Sequence, residues 1–184
     1  MKGLLVWFLF LAVGVDYDSL TIKHPPAAYA GDDIPRGVEN RGLVCTALAV
    51  YAEARGESWF GQALVAQVVV NRELALGADS DACDVINQPG QFAGIEQWPY
   101  PRQPWREDRH AWDMALDVAT AVITRDFYVP PPCQRATNFR ARDTPGWSDL
   151  TLICTVGGHD FYAPALPADL PPSLTAATAT GRSP

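Results

Sequence analysis

The stretch 43-LVCTALAVYAEARGESWFGQALVAQVVVNR-72 carries two long apolar runs joined by the polar corner 53-EARGES-58. In the first run, Leu43 to Ala54, Thr46 is the only polar residue before Glu53, so a helix here is apolar on nearly every side and belongs inside a domain. Gly56 is expected to end that helix in the left-handed conformation glycine adopts at helix C-termini. Ser58 is placed to cap a second segment running through 60-FGQALVAQVVVNR-72. Its valines suit a strand, but a run this long without a breaker beyond Gly61 favours a helix. The corner leaves one oddity: Glu53 follows directly on the apolar run, where an ionised carboxylate is expensive.

Outward from this pair, Trp112, Ala115, Leu116, Ala119, Val122 and Ile123 recur at helical spacing, with Asp113, Asp117, Thr120 and Thr124 on the other faces. This predicts a surface helix with one buried stripe. The intervening 87-NQPGQFAGIEQWPYPRQPW-105 is dense in Pro, Gly and aromatic residues and reads as a long irregular loop, of the kind that in a compact domain is either functional or disordered. The segments 136-ATNFRA-141 and 150-LTLICTVGGHDFY-162 read as short strands, the second broken at Gly157-Gly158 by a bulge or by a close backbone approach to a ligand. The fold class expected is α+β, mainly helical, with a small antiparallel sheet.

The 184 residues, 48% hydrophobic, fit one globular domain over 42–162. A net charge of −7 leaves no basic face to neutralise phosphates, which argues against a nucleic-acid partner. The apolar run 3–15 is short for a bilayer span and suits an export signal. Ala28-Tyr29-Ala30 supplies the small residues of a cleavage site. Residues 1–30 are thus expected to be an export signal or a membrane anchor able to associate transiently with the membrane, 31–41 a linker, and 163–184, rich in Pro, Ala, Ser and Thr, a flexible tail. A monomer in the periplasm or cell envelope is expected. Cys45, Cys83, Cys133 and Cys154 contain no C-x-x-C pair and favour two disulfides of open connectivity in an exported chain. No metal or organic cofactor is expected, since His24, His110 and His159 lack ligand spacing.

Three effects are expected to disfavour ionisation of Glu53: burial, the negative end of its helix, and Glu57 four residues on if the helical turn persists. A carboxyl kept protonated suits a general acid. Gln62 and Asn71 are polar groups in apolar surroundings that can converge on the same cleft.

The combination 51-YAEARGE-57, 61-GQALVAQVVVNR-72, 84-DVINQPGQF-92 and 156-VGGHDFY-162 resembles the cell wall hydrolase family typified by spore cortex-lytic enzymes and also found in phage lysis proteins. The resemblance implies a lysozyme-like domain that cleaves the glycan strands of peptidoglycan between N-acetylmuramic acid and N-acetylglucosamine, often as a lytic transglycosylase, and it puts the catalytic acid on Glu53. One carboxyl is then enough, because the muramic acid's own 6-hydroxyl attacks the anomeric carbon, whereas hydrolysing glycosidases use two carboxyls. Glu57 is the candidate second carboxylate for hydrolysis. Gln91 and Phe92 are candidates to hydrogen-bond and stack on a sugar, Asn138, His159 and Tyr162 to line the cleft from the strands, and Trp98, Tyr100 and Trp105 to form a stacking platform. Asn138 stands where the family more usually has a histidine or an aromatic residue, and Ala93 where it has a serine.

Two rival readings accompany this one. Cys45 with His159 as its base would make a peptidoglycan amidase or endopeptidase. A domain that kept the fold without the chemistry would be a glycan-binding module.

Overall fold

The computed structural model describes residues 41–97 and 108–166. In chain order the elements are α1 (Arg41–Ala54), α2 (Trp59–Leu76), α3 (Ala82–Ile86), a 3-10 helix at Ala93–Gln97, α4 (Arg109–Ile123), a 3-10 turn at Cys133–Arg135, and strands β1 (Asn138–Ala141), β2 (Leu150–Val156) and β3 (His159–Pro164). The mainly helical α+β class with a small antiparallel sheet is as expected. Arg41 opens α1 rather than ending a linker, and β3 runs on to Pro164, so the ordered elements reach slightly beyond 42–162 at both ends.

As its composition requires, α1 is the central helix: Leu43 to Tyr51 are all buried, and it packs on α2, α3 and α4. Its one interior hydroxyl, Thr46 Oγ1, donates back to the Gly42 carbonyl at 2.9 Å, which removes the penalty of an unpaired buried polar group. Leu48 and Leu64 are fully buried between these helices, each stabilising the core by about 1.5–3 kcal/mol.

Ser58 caps α2 as expected, accepting a hydrogen bond from the Gly61 N–H at 3.2 Å. The helix continues past Arg72 to Leu76 because no breaker intervenes, and stops at Gly77, whose φ of 105° a side chain would resist. Gly56 departs from expectation: its φ is not positive, and α1 ends in a turn in which the Glu57 N–H donates to the Ala54 carbonyl at 2.9 Å. The short helix α3 is set by a capping box between Asp81 and Asp84. On α4 the buried stripe is wider than the spacing suggested, with Val118 and Ala121 added, while Ile123 is only partly buried.

The sheet order is β1-β3-β2, antiparallel throughout, with Phe139 opposite Phe161, Ala141 opposite His159 and Leu152 opposite Tyr162. Strand β1 begins at Asn138, two residues later than expected, although the Thr137 N–H still donates to the Tyr162 carbonyl at 2.9 Å. Gly157-Gly158 forms the tight turn between β2 and β3, with Gly157 at φ 54°. Two disulfides fasten the layers: Cys45–Cys83 joins α1 to α3, and Cys133–Cys154 joins the turn before β1 to β2. Among the described residues no helix is long and apolar enough to cross a membrane. The run 3–15, the segments 1–30 and 31–40, the tail beyond 166, and Trp98, Tyr100 and Trp105 lie outside the described residues.

Candidate active site

Glu53 occupies the last turn of α1, partly buried, with the negative end of the helix at its back. Its Oε1 accepts a hydrogen bond from the Gly94 N–H at 3.1 Å, delivered by the 3-10 helix that packs on α1. That approach depends on a bare backbone. A Cβ on Gly94 would lie 3.2 Å from the Ala52 methyl, 3.2 Å from Glu53 Oε1 and 3.3 Å from the Ala52 carbonyl. Among the described residues Glu53 has no ion-pair partner. Arg55 reaches back to the Tyr51 carbonyl, and Arg72 points elsewhere.

Glu57 does not extend the helical turn, so its position relative to Glu53 is not the one expected of residues four apart on a helix. Its carboxylate instead accepts from the Gly158 N–H with both oxygens, at 3.1 and 3.3 Å. His159 Nδ1, buried and without a hydrogen bond of its own, faces Glu57 Oε1 at 3.4 Å. The close approach at Gly157-Gly158 is therefore made to a side chain of the chain itself, where the sequence left a ligand as the alternative.

Strand alternation decides what else lines this face. His159 and Phe161 point to the same side of β3, and Phe139 packs edge-on against His159 with ring centroids 5.5 Å apart. Tyr162 projects to the opposite face, where it is buried under Trp147 at 5.2 Å. Of the three strand residues expected at the cleft, Asn138 pairs with Tyr162 across the sheet and lies on that opposite face, and only His159 shares a face with Glu57.

Apart from Gln91, the remaining candidates among the described residues are held by the protein itself. Gln62 is buried, and its Nε2 donates to the Glu57 carbonyl at 3.1 Å, while its Oε1 has no protein partner. Asn71 Nδ2 donates to the carbonyls of Gln134 and Ala136 at 2.9 and 2.7 Å, and its Oδ1 accepts from Gln67. Phe92 is buried against Phe139 and beneath the Arg72 guanidinium, so it anchors its loop and offers no face to a sugar. Gln91 beside it is exposed. Asn138, with its amide oriented to satisfy both ends, accepts from Arg72 Nη2 at 3.1 Å and donates to Thr137 Oγ1 at 3.0 Å.

Arg72 is the functional-site neighbour that sequence reasoning passed over. Its Nε donates to the Thr137 carbonyl at 2.6 Å, and burial lowers its pKa below the ordinary arginine range. It clamps α2, the Phe92 loop and β1 together. The signal was present as an arginine close behind the valine run Val68–Val70 of α2.

Cys45 is fully buried and bonded to Cys83, which removes it as a nucleophile and corrects the amidase reading. Among the described residues no cluster of three or more His, Cys, Asp or Glu side chains is arranged to hold a metal ion.

Comparison with known proteins adds three observations. A family profile described as Cell Wall Hydrolase matches residues 56–162. Spore cortex-lytic enzymes from Bacillus cereus (32% identical over 73 residues, 40% of this chain) and Bacillus subtilis (33% over 79 residues, 43% of this chain) are similar in sequence, and the matched stretches span only 28% and 26% of those relatives. The catalytic domain of the germination-specific lytic transglycosylase SleB from Bacillus anthracis shares the fold, with a TM-score of 0.53 at 24% identity over 70% of this chain and 99% of that domain. The catalytic domain of the Bacillus cereus SleB protein does so equally, over 73% and 99%.

Proposed function

The chain belongs to the cell wall hydrolase family, and from that premise we propose that it cleaves the glycan strands of peptidoglycan between N-acetylmuramic acid and N-acetylglucosamine as a lytic transglycosylase, with Glu53 as the one catalytic carboxyl. The observation that carries this reading is the setting of Glu53 at the end of a buried helix, with the Gly94 N–H on Oε1. One oxygen is thereby held, and Oε2 is left to carry the proton toward a bound strand.

The chemistry follows from that single group. Glu53 in its acid form gives its proton to the glycosidic oxygen as the bond to the anomeric carbon breaks, and the departing sugar leaves with a free hydroxyl. The muramic acid 6-hydroxyl attacks the anomeric carbon and passes its proton to the Glu53 carboxylate, restoring the acid. No water enters, and the new end is a 1,6-anhydro ring. His159, on the same face as Glu57, is the strand residue placed to meet the glycan, with exposed Gln91 as a second contact. Because its substrate lies in the cell wall, the domain acts outside the cytoplasm, as the leader-like segment 1–30 also suggests.

The experiment is mass analysis of the fragments released from purified peptidoglycan by the full chain. Anhydro-muropeptides, lighter by one water than the hydrolysed products, are expected. Reducing-end products alone would replace this reading by a muramidase, and binding without release would replace it by a glycan-binding module.

A further inference from the structure

A lytic mechanism leaves the second acid of the corner, Glu57, without a chemical task. We propose that Glu57 is a positioning residue that acts through His159: it locks the Gly157-Gly158 turn and turns Nδ1 of the imidazole inward, so that Nε2 is the atom offered to the glycan. The inference rests on the lytic reading above, since it gives Glu57 no part in bond cleavage.

Glu57 is held at every level. Its N–H donates to the Ala54 carbonyl at 2.9 Å, and its own carbonyl accepts from Gln62 Nε2 at 3.1 Å, so the backbone cannot drift. The carboxylate receives the Gly158 N–H on both oxygens across 101 positions of sequence. Three glycines wall it in. A Cβ on Gly157 would collide with Oε2, one on Gly158 would lie 2.9 Å from Oε1, and one on Gly61 would lie 3.1 Å from the Glu57 Cβ. Gly61 is in the first turn of α2, so the carboxylate also lies beside the positive end of that helix. A nucleophile or base facing an anomeric carbon needs an oxygen free to approach the sugar. Here both oxygens point at a backbone N–H, and the side chain is only 19% exposed.

His159 is fixed from the other side. Phe139 meets it edge-on at 5.5 Å and Phe161 lies at 6.2 Å, so the ring has little freedom to flip, and its buried nitrogen is Nδ1, 3.4 Å from Glu57 Oε1. In a neutral imidazole the partner of one nitrogen sets which nitrogen carries the proton. Glu57 accepts only, so Nδ1 holds the hydrogen and Nε2 becomes an acceptor for a sugar hydroxyl or amide N–H.

The test is a double-mutant cycle on the full chain with Glu57→Gln, His159→Ala and the pair, combined with nitrogen-15 NMR of the His159 ring. Glutamine keeps an acceptor for Gly158. The single variants are expected to lose about 10- to 100-fold in kcat/KM while still yielding the same products, and the double variant to be no worse than His159→Ala alone. The ring of the wild type is expected to show the Nδ1–H form, which Glu57→Gln weakens. Losses that multiply, a Glu57→Gln variant as inactive as Glu53→Gln, or a wild-type ring protonated on Nε2 at neutral pH would each overturn the proposal. If the wild type releases nothing from any wall, the functional reading has failed, and the NMR experiment still decides what Glu57 does to His159. Should Glu57→Gln misfold, Glu57→Asp, which keeps the charge on a shorter arm, is expected to retain the Nδ1–H form, and its loss there would count against the proposal.

Discussion

The Gly94 N–H donates to Glu53 Oε1 at 3.1 Å, joining the 3-10 helix Ala93–Gln97 to the end of α1, 41 positions earlier. The first prediction follows from the space around that bond. In Gly94→Ala the new methyl would meet both the Ala52 carbonyl and Glu53 Oε1, and the backbone atom cannot yield cheaply. The loop must retreat by a few tenths of an ångström, and kcat is expected to fall about tenfold with the fold retained, because small misplacement of a reacting group is costly. Steady-state kinetics with a thermal melt checks this.

Arg72 holds three elements with one guanidinium. Arg72→Lys keeps the charge but cannot reach the Thr137 carbonyl and Asn138 together, nor cover Phe92 with a planar group. A loss of about 1–3 kcal/mol in urea unfolding is expected. An unchanged midpoint and slope would show that the clamp is idle.

Breaking Cys45–Cys83 by the pair Cys45→Ala and Cys83→Ala releases α3 from α1. The bond closes a segment of 38 positions, and its removal is expected to lower stability by about 2–4 kcal/mol. Reduction of the wild type is expected to give a comparable fall in Tm, with the second disulfide contributing to it.

Burial, and after it the nearby Asp81, raises the pKa of Glu73 above the ordinary glutamate range. The folded chain then keeps this proton at pH values where the unfolded chain has lost it, so stability falls as pH rises through that interval and stays lower above it. Glu73→Gln is expected to melt slightly higher than the wild type at neutral pH, by only a small margin because solvent screens this partly exposed carboxyl, and to lose the advantage in acid. A difference that grows in acid would contradict the sign.

Local signals were legible in the sequence. The buried helix that carries Glu53 in its last turn, the Ser58 cap and the α4 stripe each depend on residues within a turn or two of one another. The 81-DACD-84 capping box was equally local and was passed over. What escaped was non-local. Nothing near Glu57 indicates that its carboxylate is met by Gly158, 101 positions on, or that Asn71 answers the carbonyls of Gln134 and Ala136. Polar residues in apolar surroundings therefore looked like substrate ligands, when for Gln62 and Asn71 the partner was backbone from a turn and a distant segment. Phe92 misled for a related reason: an aromatic residue in a Pro-Gly loop does not reveal that Arg72 and Phe139 wait to cover it.

The most direct test of the account is the release of muropeptides from purified peptidoglycan by Glu53→Gln beside the wild type. The glutamine keeps an oxygen for the Gly94 N–H but has no proton to give, so a drop of at least about a thousandfold at an unchanged Tm is expected. Release within about tenfold of the wild type by a folded Glu53→Gln chain would contradict it, because the proton would then come from another group.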